Sequence, residues 1–188
     1  MIVGKSLSLN ANVDVTGKGF YGGKISSGLG ICHGTNTAVD DKYAYHDTYN
    51  NSGFKGESQV IRAWVDASSI LPIFPGYSKG KGINLSGGGG GNGRFSGGGG
   101  GSNYGSGGKG GREIGTCTPS PGDGGLKGNS ITTLDLNGGL FFGGGGGAST
   151  YESAPSATPG AKGGGIIIII CDTLKGNGKV IKAEGDTP

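Results

Sequence analysis

From Leu7 to Val15 the chain alternates, with apolar Leu7, Leu9, Ala11, Val13 and Val15 separated by polar Ser8, Asn10, Asn12 and Asp14. Successive side chains of a strand point to opposite faces. This period of two therefore predicts a half-buried strand, or a strand pair bent tightly at Asn10-Ala11-Asn12. Thr16-Gly17-Lys18-Gly19 closes the stretch, glycine admitting the positive φ of a turn. Near the other end, Ile166–Ile170 is an unbroken β-branched run, the pattern of a strand buried on both faces. Leu174-Lys175-Gly176-Asn177-Gly178 then turns, and Val180, Ile181 and Ala183 supply a further short strand. "VTGKG" and "LKGNG" share a strand-exit pattern, so the two ends are expected to be related rungs packed on one another. One more strand is expected at Gln59–Val65. Helical periodicity is missing throughout, which predicts very little helix.

Between these ends the pattern is dominated by glycine, and residues 82–147 hold 29 of the 48 glycines in the 188-residue chain. Three five-residue runs stand out, at 87–91, 97–101 and 143–147. A flexible linker mixes serine through such runs and keeps apolar residues away. Here Ile83, Leu85, Phe95, Tyr104, Leu134, Leu136, Leu140, Phe141 and Phe142 bracket them. That favours ordered segments folded back and forth. In the polyproline-II conformation glycine has three residues per turn and rises about 3.1 Å per residue, with no internal hydrogen bonds. Lacking Cβ atoms, such helices can lie side by side and bond through N–H···O and Cα–H···O contacts. Ordering glycine is costly in entropy, and the isoleucine strand is the expected apolar anchor of the stack. The fold class is therefore all-β or irregular: short β-strands at both ends packed with a stack of glycine-rich polyglycine-II helices, with almost no α-helix. The expected organisation is one compact domain with an N-terminal β rung (1–31), an aromatic-rich inserted loop region (32–79), a glycine-rich block (80–162) and a C-terminal β rung (163–188).

Charge and chemistry change this picture little. Charged residues make up 15% of the chain and the net charge is +3, too slight for a dedicated nucleic-acid or membrane-surface binder. No apolar run approaches the ~20 residues of a membrane span, and the start shows no secretory signal, so folding in the cytoplasm is expected. Cys32, Cys117 and Cys171 are odd in number with no CxxC pair, which predicts incidental thiols rather than disulfides or a metal site. "GKGFYG" (Gly17–Gly22), with Asp40 about twenty residues on, matches the dinucleotide fingerprint. The stretch that follows cannot hold the helix that would face a pyrophosphate. His33 adjoins Cys32, and His46 adjoins Asp47, but sequence neighbours point apart on a strand and no third group orients them. Asp40-Asp41 suits a turn better than an acid–base pair. No catalytic residue, cofactor or metal is expected, and the chain is expected not to be an enzyme.

"LSLNANVDVTGKGFYGG" and the later five-glycine runs resemble the adhesins at the tips of long tail fibres in T-even-type phages. "ITTLDLNGGLFFGGGGG" and "GGGIIIIICDTLKGNGKVIKAEGD" are similar to segments of large glycine-rich virion or surface proteins of β-solenoid character. The first resemblance implies a polyglycine-II sandwich whose connecting loops recognise an outer-membrane receptor. Partners would be a bacterial cell-surface receptor or other virion or fibre subunits, located on the virion, the cell surface or outside the cell. The loops Asn92–Phe95, Asn103–Tyr104 and Tyr151–Glu152 are contact candidates by position, with Phe95, Tyr104 and Tyr151 as their aromatics. Tyr43, Tyr45, His46 and Tyr49 form a second candidate patch, since aromatics on rigid loops give contact area at low entropic cost. The alternative is a self-assembling filament subunit, Lys179–Glu184 of one copy pairing with Leu7–Val15 of the next.

Overall fold

In a computed structural model of the chain, the residues described are 2–26, 32, 42–59, 62–64, 70–72, 76–113, 117, 124–131, 139–151 and 157–188. They contain six short strands: β1 (Ile2–Ser8), β2 (Val13–Asp14), β3 (Arg62–Trp64), β4 (Ile70–Pro72), β5 (Ile169–Lys175) and β6 (Ile181–Lys182). No helix occurs among the described residues.

The two ends do lie on one another. β1 pairs in parallel with β5, Ile2 opposite Ile169 and Ser8 opposite Lys175, and β2 pairs in parallel with β6, Val13 opposite Ile181. The ladder runs on through Leu9 N–H to Lys175 O (2.9 Å), Val15 N–H to Lys182 O (2.9 Å) and Gly17 N–H to Glu184 O (3.1 Å). Both rungs bend at the same level, and each bend is tied to the other chain. Asn177, at φ 50°, donates from Nδ2 to Leu9 O (3.1 Å), while Val180 N–H donates to Asn12 Oδ1 (3.0 Å). Asparagine tolerates the left-handed region, and Gly178 follows at φ 71°. This is why "GNG" can turn the second rung directly against "NAN" in the first.

The isoleucine run departs from expectation. Ile166–Ile168 lie outside the strand, which begins at Ile169, and the run is half-buried, with Ile170 54% exposed. Leu174, Val180 and Ile181 are exposed as well. The reason is topological. β5 has the single partner β1, so no second strand or layer among the described residues covers its other side. A β-branched run identifies a strand former but not how many neighbours it will have. The run is therefore not a strand buried on both faces. The interior is mostly small and polar, and the largest fully buried side chains are Asn92, Cys117, Ser52, Ser86 and Ser96.

What holds the glycine block is its own backbone. Side-by-side segments, among them 19–24, 53–57, 87–91, 97–102, 124–128, 143–148 and 160–165, bond to one another with a period of three residues. In segment 143–148, Gly143 and Gly146 donate their N–H groups to Gly164 O (2.8 Å) and Ala161 O (2.9 Å). Gly144 and Gly147 donate to Ser102 O and Gly99 O (both 2.8 Å), and Gly145 and Ala148 donate to Glu57 O (3.0 Å) and Phe54 O (2.8 Å). Every third residue thus addresses the same neighbour, and all six N–H groups of this segment find a partner without a β-sheet. The segments sit close enough that a Cβ built on Gly22 would lie 1.8 Å from Gly160 O and one on Gly90 1.9 Å from Gly53 O. These positions cannot carry a side chain.

Residues 53–57 belong to this body too, Gly53 and Gly56 donating to Gly91 O and Gly88 O (both 2.8 Å). Their three-residue spacing continues the same pattern outside the glycine runs. The strand expected at Gln59–Val65 is present as the shorter β3, paired antiparallel with β4, Ala63 opposite Leu71.

The cysteine expectation is overturned. Cys32 and Cys117 form a disulfide across 85 residues of sequence, and Cys171 on β5 is the free thiol. An odd count and long spacing say nothing about which two thiols meet in space. Closing a loop of that length contributes about 4.5 kcal/mol by restricting the unfolded chain.

Candidate functional site

The aromatic patch read from the sequence is a folded cluster on the body. The turn 46–49 is closed by Tyr49 N–H donating to His46 O (2.8 Å), and His46 Nδ1 lies 2.8 Å from Thr48 Oγ1 and accepts from Thr48 N–H (3.2 Å). Tyr45 N–H donates to Lys79 O (2.9 Å), which fixes the loop to the residues after Gly76. Tyr45 is buried, its ring stacked on Tyr49 at 4.1 Å and its hydroxyl accepting from Lys42 N–H (2.8 Å). His46 meets Tyr77 edge to face at 5.2 Å. These rings line a cavity of about 400 Å³ together with Lys42, Ala44 and Thr48.

The candidates therefore separate. Tyr45, His46 and Tyr49 come together, with Tyr45 serving as the buried floor of the patch. Tyr43 is half-buried beneath the Lys81 amine, 5.1 Å from its ring. Phe95 and Tyr151 form a distinct edge-to-face pair at 4.5 Å, with the Arg94 guanidinium 5.3 Å from the Phe95 ring. Tyr104 stands by itself at 83% exposure. Asn92, which opens one of the expected contact loops, is fully buried and donates to Lys42 O (3.1 Å), so it braces the aromatic loop rather than contacting a partner. Glu152, Asp40 and His33 lie outside the described residues.

Sequence reasoning missed Tyr77, Lys79 and Lys55. Behind the aromatic turn lies a second cavity of about 520 Å³, lined among others by Tyr21, Lys24, Asp47, Phe54 and Lys55. Asp47 Oδ1 accepts from Ser78 N–H (2.8 Å) and Ser78 Oγ (2.5 Å). Lys79 donates to Ser26 Oγ (3.0 Å) and Tyr49 O (2.9 Å) and lies 4.6 Å from the Phe54 ring. Burial lowers its pKa, and the Asp47 charge works against that shift. Lys55 is 6% exposed and its amine has no hydrogen-bond partner, so desolvation pushes its pKa from 10.5 down to about 7. Nothing in their spacing set these buried lysines apart from exposed ones such as Lys109, which also stands beside glycine.

The arrangement offers stacked rings, hydroxyls and an amine for contact. Among the described residues no group of three or more His, Cys, Asp or Glu side chains is placed to hold a metal ion. Neither protein-family models, curated proteins nor solved structures give a match to this chain.

Proposed function

We propose that the chain is a rigid contact domain of the phage-fibre type, in which polyglycine-II helices hold aromatic loops against a bacterial surface receptor or another virion subunit. It acts by binding, not catalysis. The observation that carries this is the joining of the ring cluster Tyr45, His46, Tyr49 and Tyr77 to a body whose peptide groups bond every third residue. Three residues per turn is the repeat of polyglycine II. A loop anchored to such a body loses little entropy on binding. The Cys32–Cys117 disulfide suits a protein that works outside the reducing cytoplasm.

The test is retention of purified protein on a panel of bacterial cells and competition with phage adsorption. Wild-type protein is expected to bind at least one strain. Tyr77→Ser, which removes a ring 42% exposed, is expected to bind about tenfold more weakly with unchanged thermal stability. Absence of retention on every strain, or equal retention of the variant, removes the receptor-binding function.

A filament subunit is the second proposal, favoured by the terminal ribbon. The pairing first expected between copies is made within one chain, β2 against β6. Each strand still has an open edge, and Ile170, Leu174, Val180 and Ile181 are exposed beside it. Two-stranded sheets with apolar faces are marginal alone and recruit further strands. Negative-stain images at high concentration are expected to show end-to-end fibres that Ile181→Lys abolishes. Discrete particles alone defeat this proposal.

A further inference from the structure

The segment 143–148 sits at the centre of the body, and its hydrogen bonds are incomplete in one direction. Its six N–H groups are all used, two each toward segments 160–165, 97–102 and 53–57. Its carbonyls should receive N–H groups from the three directions between. Gly143 O and Gly146 O accept from Phe20 N–H (3.1 Å) and Gly23 N–H (2.8 Å), and Gly145 O and Ala148 O accept from Gly88 N–H (2.9 Å) and Gly91 N–H (2.8 Å). Gly144 O and Gly147 O accept from no N–H group among the described residues. Among the described residues five segments surround 143–148, and the sixth position, between 97–102 and 160–165, is open.

A groove of about 410 Å³ lies there, with Gly101, Gly144, Ala161 and Gly164 among its walls. Its sides show the same deficit with the opposite sign. In segment 97–102, Gly97 and Gly100 donate to one neighbour and Gly99 and Ser102 to another, while Gly98 N–H and Gly101 N–H have no acceptor. In segment 160–165, Gly160 and Gly163 donate to Gly23 O and Phe20 O, while Ala161 N–H and Gly164 N–H have none. The unpaired groups recur every third residue, about 9 Å apart for a polyglycine-II rise. Acceptors on the floor and donors on both sides make a template for one more strand of the same kind. Burying such groups unpaired is costly.

The chain also displays a strand that fits. Segment 105–112 lies at the outside of the body and has three kinds of face. Gly107 and Gly110 are pressed inward, where a Cβ would lie 2.1 Å from Gly100 O and Gly97 O. Ser106, Lys109 and Arg112 are exposed polar side chains. Gly105, Gly108 and Gly111 form the third face, where a Cβ would meet nothing within 4 Å. Within one molecule nothing requires glycine there, and glycine costs about 0.5–1 kcal/mol per residue in backbone entropy. Gly108 N–H and Gly111 N–H have no acceptor and stand three residues apart, as Gly144 O and Gly147 O do.

We propose that the groove is an interface in which segment 105–112 of a second copy of this chain takes the open sixth position beside 143–148. Gly108 N–H and Gly111 N–H of that copy donate to Gly144 O and Gly147 O, and its carbonyls accept from Gly98, Gly101, Ala161 and Gly164. This contact is lateral and uses neither open strand edge of the terminal ribbon, although Ala183, Gly185 and Asp186 at the ribbon's end also line the groove, and it rests on the polyglycine-II arrangement proposed above.

The experiment combines sedimentation velocity over a concentration series with amide hydrogen exchange of the full chain. Association with rising concentration is expected, with the Gly98, Gly101, Ala161 and Gly164 amides slowing about tenfold or more between dilute and concentrated samples. Gly108→Val has room in the monomer, so it is expected to keep the wild-type melting temperature and lose both effects. Ile181→Lys is expected to keep both. A protein that stays monomeric with these amides exchanging freely overturns the interface, as does association unchanged by Gly108→Val or abolished by Ile181→Lys. A synthetic peptide of residues 104–112 that protects the groove amides without any self-association shows that the groove takes a foreign strand, and the second-copy proposal falls. The interior amides of Gly89 and Gly145 separate the two levels. If they exchange freely in dilute protein, the polyglycine-II arrangement itself fails. If they are protected while the groove amides never slow, only the interface fails.

Discussion

Gly145→Val is expected to leave the protein largely unfolded at room temperature. A Cβ at position 145 would lie 1.9 Å from Tyr21 O, a backbone atom that cannot rotate aside. Relieving the clash moves segment 19–24 away from 143–148, and with it go the bonds from Phe20 and Gly23. Gly145 itself bridges Glu57 O and Gly88 N–H, so the displacement reaches two further segments. Overpacking a dense interior costs about 1–3 kcal/mol, and each of several lost buried hydrogen bonds adds about 1 kcal/mol. The total, about 5 kcal/mol, is comparable with the whole stability of a small domain. The matched control is Gly108→Ala, where a Cβ meets nothing within 4 Å. It is expected to be neutral or to stabilise by up to about 1 kcal/mol by stiffening the unfolded chain. Urea titrations of the two variants decide the matter. Equal, small effects at both positions would mean that the glycine body is loosely packed.

The second large effect is a pH dependence centred on Lys55. Its pKa is about 7 in the folded protein against 10.5 when solvated, because burial removes water from an amine that has no partner. Above about pH 10.5 the group is neutral in both states and costs nothing. Between about pH 10.5 and 7 the unfolded chain holds a proton that the native protein lacks, so stability rises with pH across this window. Below about pH 7 both states are charged and the full penalty is present. A shift of this size corresponds to about 5 kcal/mol. Lys55→Met is therefore expected to be about 3 kcal/mol more stable than wild type at pH 7, with a flattened slope of stability between pH 7 and 10. Parallel stability–pH curves for the two proteins would show that the Lys55 amine finds water or a counter-ion in solution.

The second cavity adds a consequence for binding. Lys55 lies in the same wall as Tyr21 and Phe54, so an acidic group entering that cavity would supply the missing partner and offset the penalty of the buried amine. In the adjoining aromatic pocket Tyr45 and His46 are already bonded within the fold. The two cavities share the loop that carries Asp47.

Some of this was legible in the chain because the signal was local. The alternation from Leu7 to Val15 and the turns at Gly17 and Asn177-Gly178 depend on side-chain direction and φ alone, and the rungs they mark are present with the bend where "NAN" stands. The absence of helical periodicity was likewise informative, and the described residues hold no helix. Tyr45, His46 and Tyr49 share one patch because the tight turn 46–49 and the residue before it suffice to gather them. Tyr77 and Lys79 joined that patch from thirty residues away, through bonds such as Tyr45 N–H to Lys79 O that no spacing rule announces.

Local chemistry alone set the period-two rungs, the turns at Gly17 and Asn177-Gly178, and the low charge, because each is a property of a residue and its immediate neighbours. Packing decided that Ile166–Ile170 would remain half in solvent, that Cys32 would find Cys117, that Lys55 would be enclosed without a hydrogen-bond partner, which glycines have room for a Cβ, and that one place beside 143–148 would stay open among the described residues. These depend on how many neighbours a segment acquires, and a backbone without side chains carries no mark of its neighbours until it is packed among them.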